Sequence, residues 1–294
     1  MSAMNAQRKL TLQSGVLSAL ILLAALLVWH LSITSTAAAP AANLTAEQIE
    51  YPKLLGKDPG ASAGAAKTVG FPTLSQMGAA IVKNLASPFY DNGPNDKGIG
   101  IQLGHSLLRV GTGFGLAALV AIPLGFLIGM SPLLYRALDP FIQVLKPISP
   151  LAWMPLALYT IKDSSISGIF VIFICSIWPM LINTAFGVAG VRREWLNVAK
   201  TLEVPRLRLA FEVILPAAAP TILTGMRISM GIAWLVIVAA EMLVGGTGIG
   251  YFVWNEWNNL SLTNVIFAIL MIGLVGMVLD LLFAKAQKAI SYVE

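Results

Sequence analysis

Six apolar runs, each long enough to cross a lipid bilayer, constrain this chain more than any other feature of it. They lie at about 14–34, 104–130, 138–160, 165–190, 217–244 and 263–284. Crossing the hydrocarbon core takes roughly 20 mostly apolar residues in a helix. No water is present there to satisfy open backbone N–H and C=O groups, so each run is expected to be helical. Composition agrees, with 57% hydrophobic and 11% charged residues among 294, against about 45–50% and about 25% in soluble domains. The expected fold class is all-α, a polytopic membrane protein with about six transmembrane helices and lipid as its solvent.

These runs divide the chain into an N-terminal transmembrane helix (1–35), an extracytoplasmic segment (36–100) and a core of five spans (101–294). The segment is rich in Ala, Gly, Pro and Lys. Within it Leu74, Met77, Ile81 and Leu85 recur at helical spacing, which predicts a short helix at the membrane interface. Arg8 and Lys9, an apolar run and Ala37-Ala38-Ala39-Pro40-Ala41 also fit a cleaved signal peptide. The stretch from Val16 to Ile33 exceeds the about 7–15 residues usual in such a leader, which favours a retained helix. Basic residues in the short loops, among them Arg136, Arg192, Arg193, Lys200, Arg206, Arg208, Lys285 and Lys288, fall on one side together with Arg8 and Lys9. That asymmetry predicts cytoplasmic N- and C-termini.

Several function classes are disfavoured. A pI near 9.4 could suggest nucleic acid, but the 19 Lys and Arg residues are spread among apolar runs and form no basic groove. Cys175 is the single cysteine, and His30 and His105 are far apart, so no metal site is expected. The pattern G-x-x-x-x-G-K-[ST] is absent, so the chain has no phosphate loop of its own. A membrane-embedded enzyme would need a nucleophile and base, or a metal cluster, at one depth, and none is evident.

Residues 191–217 differ from the rest. Arg192, Arg193, Glu194, Lys200, Glu203, Arg206, Arg208 and Glu212 alternate with Leu196, Ala199, Leu202, Leu207 and Phe211. Helical spacing holds through Leu196, Ala199 and Leu202, then Pro205 interrupts it; proline suits the first turn of a new helix, where its missing N–H costs nothing. The reading is helix, sharp turn, helix, then Leu215-Pro216 into the fifth span. On pattern alone this is either a linking loop or a compact knob offered to a partner.

Asn197-Val198-Ala199, three residues, Glu203, nine residues and Val213-x-Leu215-Pro216 resemble the coupling-loop motif of binding-protein-dependent ABC importer permeases. That motif reads E-A-A, three residues, Gly, nine residues, I-x-L-P; Asn197, Val198 and Glu203 depart from it, and Pro205 stands where it could supply the turn that the missing Gly would make. The resemblance covers about 71–285. Ser106-Leu107-x-Arg109-Val110, Asp139-Pro140, Pro150-Leu151-Ala152-Trp153-Met154-Pro155, Gly225-Met226-Arg227-Ile228 and Ala239-Ala240-Glu241-Met242 are similar to the nitrate/sulfonate/bicarbonate group. Pro88 to Gly93, followed by Lys97-Gly98-x-Gly100, is similar to the nitrate-type permeases within it.

The resemblance implies an ABC type I importer permease fold in a bacterial-type inner membrane. It also implies a homodimer with a second permease copy, two ATP-binding subunits carrying ATP and Mg, and an extracytoplasmic solute-binding protein. The cargo would be a small inorganic anion, nitrate or nitrite first, with bicarbonate, cyanate or a sulfonate as alternatives. Arg193, Glu194, Asn197, Val198, Ala199, Lys200, Leu202, Glu203, Pro205, Leu215 and Pro216 would then couple the permease to its ATPase. A gradient-driven secondary transporter is the rival; such folds often show paired repeats, and no clear repeat is evident here.

Charge at membrane depth is costly and marks function or a pair. Lys146 and Arg227 are expected near the midplane, and Asn183 and Asp280 shallower, toward the cytoplasm; Lys146, Arg227, Asn183 and Trp178 are candidates for the translocation pathway, and an arginine fork suits a planar oxyanion. Pairing is the competing expectation, Arg227 with Asp280 and, as a structural ion pair, Arg109 with Glu241. Gly111-x-x-x-Gly115 and Gly125-x-x-x-Gly129 are expected to be helix-packing surfaces. The run from Gly245 to Gly250 is expected to be an outer turn. Tyr251, Trp254 and Trp257 beyond it suit an interfacial belt or a docking surface.

Overall fold

A computed structural model describes residues 2–36, 71–93 and 95–290. The chain forms two compact units, Met1–Val82 and Lys83–Glu294. The first contains α1 (Ser2–Thr36), whose apolar stretch Leu12–Ser32 has no buried side chain. Trp29 meets Phe71 edge-on at 5.3 Å between ring centroids and donates its indole N–H to the Pro72 carbonyl at 3.0 Å. Helix α2 (Leu74–Ala86) starts with a reciprocal cap: the Thr73 N–H donates to Gln76 Oε1 and the Gln76 N–H to Thr73 Oγ1. Each satisfies a donor that the first helical turn leaves open. The candidate cleavage sequence Ala37 to Ala41 and most of the segment 36–70 lie outside the described residues.

The second unit runs through α3 (Ile99–Met130), α4 (Pro132–Leu145), a 3₁₀ turn (Pro150–Trp153), α5 (Met154–Ile161) and α6 (Ser164–Ala189). It continues with α7 (Arg193–Thr201), α8 (Arg206–Leu209), α9 (Leu215–Val244), α10 (Ile249–Asn258) and α11 (Leu262–Ile290). Helix α6 is the centre of the unit, packed along its length between α3 and α9. Lipid removes most of the hydrophobic drive between helices, so close backbone approach must replace it. On α3 a small residue recurs at every fourth position: Gly113, Ala117, Ala121, Gly125, Gly129. A Cβ on Gly113, Gly125 or Gly129 would stand 2.6–2.8 Å from the carbonyl oxygens of Ile169, Leu181 and Ala185 on α6. Gly125 and Gly129 thus lie where close packing was expected. Gly111 and Gly115 do not, because they face open space and Gly113, between them, makes the contact.

Among the described residues, five helices are long and apolar enough to cross a membrane, or six if a bent pair counts as one span. The bent pair is the run expected as a single span at 138–160. It consists of α4 and the Pro150–Ile161 piece, which meet at 83°. Pro147 and Pro150 account for the break: proline removes an N–H and pushes the residue before it out of the helical region, and Ser149 is extended at ψ 128°. The second span begins at Ile99, earlier than the expected 104, and the fifth is continuous back to Arg206.

Candidate coupling elbow and translocation path

Residues 193–214 form an elbow at the end of the fifth span. In α7, Glu194 lies in the first turn and Lys200 in the last, each matched to the sign of the helix dipole there. Arg192 sits over the Trp195 ring, 5.6 Å from its centroid. The helix ends in a left-handed turn at Glu203, φ 53°. There the Val204 N–H donates to the Ala199 carbonyl and the Glu203 N–H to the Lys200 carbonyl, both at 3.0 Å. This pair of bonds is the Schellman arrangement, whose left-handed position is usually glycine. The turn that the family motif assigns to Gly therefore forms at Glu203 itself, and Pro205 opens the next helix as its N-cap.

From Arg206 the chain runs on through α9 without a break. The Leu215 N–H reaches back five residues to the Ala210 carbonyl, so Ala210–Ile214 is a π turn. Pro216 explains it: the ring would collide with the carbonyl four residues earlier, and widening the helix relieves that collision. Arg206–Val244 is thus one rod of 39 residues, about 58 Å long at 1.5 Å per residue. Val188, Val191, Ile214, Ala218 and Ile222 pack together at its base with Leu196 and Leu209, fixing the elbow to α6 and α9. Ala199 is buried, whereas Val198, Leu202, Leu207 and Phe211 are left exposed. Arg208 and Glu212 pair at 2.7 Å, one turn apart. Asn197 accepts the Thr201 hydroxyl at its carbonyl.

At the other end of the rod lies Glu241, with Arg109 Nη1 at 2.8 Å from its Oε1 and side-chain exposures of 4% and 11%. The Ser106 hydroxyl donates to the same carboxylate, and so does the Gly250 N–H at 3.0 Å. Arg109 also donates to Ser165 Oγ and to the Thr247 carbonyl, the Ile249 N–H to Ser106 Oγ, and the Gly248 N–H to Gln102 Oε1. The expected outer turn thus folds around a buried carboxylate. A Cβ on Gly250 would stand 2.1 Å from the Val238 carbonyl, so glycine alone allows this approach. The Ser106 hydroxyl on Glu241 and the Gln102 side chain on the Gly248 N–H were missed; the glycine-rich run from Gly245 to Gly250 soon after the carboxylate was the available signal.

Near the middle of α9, Arg227 faces Asp280 on α11. Nε donates to Oδ1 at 2.6 Å and Nη2 to Oδ2 at 2.7 Å. Both side chains remain open, at 39% and 53% exposure. They border two cavities, of about 360 and 640 Å³, that run between α9 and α11. Lys146 is the residue that caps α4 at the break, and it lines a third cavity, of about 520 Å³, with Arg136, Asp139 and Gln143. Asn183 donates to the Pro179 carbonyl of its own helix and lies against Gly225. Neither Asn183 nor Trp178 is among the residues lining these three cavities.

Beside α10, the described residues of 88–100 close on themselves. The Gly98 N–H donates to the Tyr90 carbonyl and the Gly100 N–H to the Pro88 carbonyl, both at 2.7 Å, and Asp91 bridges to Lys97. Asn95 receives the Tyr251 hydroxyl and the Asn255 amide from α10, next to exposed Trp254 and Trp257.

Comparison with known proteins bears on this arrangement. Residues 121–292 match the family described as the binding-protein-dependent transport system inner membrane component. The nitrate import permease protein NrtB of Synechocystis sp. is 48% identical over 206 residues, 70% of this chain and 75% of that protein. The bicarbonate transport system permease protein CmpB of Synechocystis sp. is 45% identical over 208 residues, covering 70% and 74%. Among solved structures, an inward-facing conformation of the MetNI methionine ABC transporter superposes with a TM-score of 0.58. It covers 64% of this chain and 94% of that one at 12% identity, a likeness of fold. The chain is a multi-pass membrane protein with the permease fold of ABC importers, and it belongs to the family of binding-protein-dependent transport system inner membrane components.

Proposed function

We propose that this chain is the permease subunit of an ATP-driven nitrate importer, working as a homodimer in a cytoplasmic membrane with both termini on the cytoplasmic side. Two partner subunits bind and hydrolyse ATP with Mg, and an extracytoplasmic binding protein delivers the anion. The observation that carries this reading is the elbow. It exposes Val198, Leu202, Leu207 and Phe211 at the foot of a continuous 39-residue helix that also bears Arg227. Exposed apolar side chains on a charged knob suit a protein partner, and a rod transmits the partner's movement into the bilayer. Arg193, Glu194, Asn197, Lys200 and Glu203 supply the polar rim of that contact, while Ala199, Leu215 and Pro216 hold it to the span. ATP binding supplies the preference between inward- and outward-open states, since only a differential interaction shifts such an equilibrium.

Nitrate is favoured by the 48% identity to a nitrate permease; bicarbonate is the second reading, from the relative at 45%. The deciding assay reconstitutes the chain with its ATPase and binding protein in vesicles and follows labelled nitrate. Uptake is expected only with ATP, the binding protein and all subunits present, with nitrite competing. Uptake by this chain alone, driven by an ion gradient, would sink the proposal. Preference for bicarbonate, cyanate or a sulfonate would move it to the second reading or beyond.

A further inference from the structure

We infer that Arg227 and Asp280 form an exchangeable counter-ion site, in which Asp280 occupies the guanidinium fork while the pathway is empty and a planar oxyanion replaces it in transit. This rests on the proposed anion transport and assigns the step to named atoms.

Three observations support it. The first is geometric: Nε and Nη2 of Arg227 each hold one oxygen of the Asp280 carboxylate, at 2.6 and 2.7 Å. The fork is thus filled by two oxygens borne on one trigonal atom. Nitrate offers the same planar O–X–O edge, and so does the carboxylate-like face of bicarbonate. A guanidinium that accepts one accepts the others, because its fixed fork reads that edge bidentately.

The second observation is access. Paired charges that serve only to hold two helices together are best shielded, as Arg109 and Glu241 are. Arg227 and Asp280 instead keep 39% and 53% of their side chains open. Both border the cavities of about 360 and 640 Å³. A water molecule's share of liquid is about 30 Å³, so either space admits an anion with some of its hydration. The third observation is what surrounds them. Trp234, Leu235, Val238 and Ile272 make the first cavity largely apolar, and Gly231 and Gly273 leave open space where a side chain would stand. In such surroundings the anion finds one strong donor group, Arg227.

The charge balance explains release. The empty pair is neutral, which suits its depth in the bilayer. An anion on the fork leaves Asp280 beside it with uncompensated charge, so the carboxylate pushes to return. Arg227 lowers the barrier to entry, and Asp280 prevents a trap. An arginine alone would hold its cargo, and a neutral cavity would not admit it.

The test uses the full complex in vesicles. The unaltered complex must first show ATP-dependent nitrate uptake; if it does not, the proposed function fails and this site is not at issue. In a working complex, the double variant Arg227→Leu with Asp280→Leu distinguishes a clamp from an exchange site. Replacing a structural ion pair by apolar residues of similar size is often neutral, so a clamp predicts uptake within about two-fold of the unaltered complex, and that result overturns the inference. Exchange predicts a chain that assembles and hydrolyses ATP with uptake reduced at least about ten-fold. Two single variants decide the matter if the double variant fails to assemble. Arg227→Lys keeps the charge without the fork and should raise KM for nitrate about three- to ten-fold. Asp280→Asn should lower both KM and the maximal rate, because the cargo meets no returning carboxylate. Unchanged kinetics in both single variants overturn the inference as well.

Discussion

Helix α9 ends, on the side proposed to be outer, in a carboxylate whose partners all come from its own chain, and it begins, on the side proposed to be inner, at an elbow that leaves Val198, Leu202, Leu207 and Phe211 exposed. Glu241 receives Arg109, the Ser106 hydroxyl and the Gly250 N–H, and is 4% exposed. At the elbow Leu207, for instance, is 76% exposed, and the Arg208–Glu212 pair lies in the open. Charge buried in a low-dielectric site must be matched in full or it unfolds the site, whereas charge at an aqueous surface contributes little to stability. The outer end is therefore committed to the fold, and the inner end keeps its groups available for another protein. Between them, the Arg227–Asp280 pair has the geometry of the first and the openness of the second.

The most damaging way to probe this contrast is at the outer end. Glu241→Ala removes one partner of a buried ion pair and leaves Arg109, Ser106 and the Gly250 N–H without their acceptor. A loss of about 3–5 kcal/mol is expected, read as a large fall in the detergent melting temperature and in yield. Glu241→Gln keeps an acceptor and should lose less. A variant Glu241→Ala with unaltered melting would show that the carboxylate is not what holds the loop from Gly245 to Gly250.

At the inner end the expected loss is of transport and not of fold. Replacing Lys200 and Leu202 together by alanine touches exposed side chains, and such changes usually stay within about 0.5 kcal/mol. Nitrate uptake should nevertheless fall about ten-fold, since truncating an apolar anchor of an interface commonly costs more than 1 kcal/mol of binding. ATP hydrolysis by the partner should cease to respond to the binding protein. Uptake that survives this change would remove the elbow from the coupling pathway.

The spans were readable because apolar runs need no tertiary information: lipid sets the requirement directly. The same holds for α2, whose apolar residues Leu74, Met77, Ile81 and Leu85 recur at helical spacing within the segment itself. What escaped reading depended on partners distant in sequence. Prolines at 147 and 150 announced a break, but the 83° between the pieces goes with α4 packing on α3 and the Pro150–Ile161 piece on α6. Glycine spacing pointed to α3 as a packing surface, yet Gly111 and Gly115 face open space, because the register of a helix face is fixed only once α6 is in place. Ser106 meets Glu241, and Gln102 the Gly248 N–H, only in the folded molecule. Counting residues along spans could place charges at a common depth; it could not show that one pair would be enclosed by backbone donors and the other left beside a cavity.

Glu203 offers the finest adjustment of the contrast, because there the inner end pays a conformational cost that the outer end avoids with glycine. Its φ of 53° puts a β-carbon near the following carbonyl, a position that disfavours L-residues by roughly 1–2 kcal/mol. The two Schellman bonds hold the backbone there regardless. Glu203→Gly removes the clash and loses some of that gain to the greater freedom of glycine in the unfolded chain, roughly 0.5–1 kcal/mol. A net stabilisation of about 1 kcal/mol or less is expected, visible as a small rise in melting temperature. The Glu203 side chain is exposed, so its loss removes no packing. If the turn matters to coupling only as geometry, nitrate uptake should be unchanged in this variant. If the carboxylate itself touches the ATPase, uptake should fall while the melting temperature still rises. A fall in melting temperature would mean that Glu203 makes stabilising contacts outweighing the relief of its left-handed backbone.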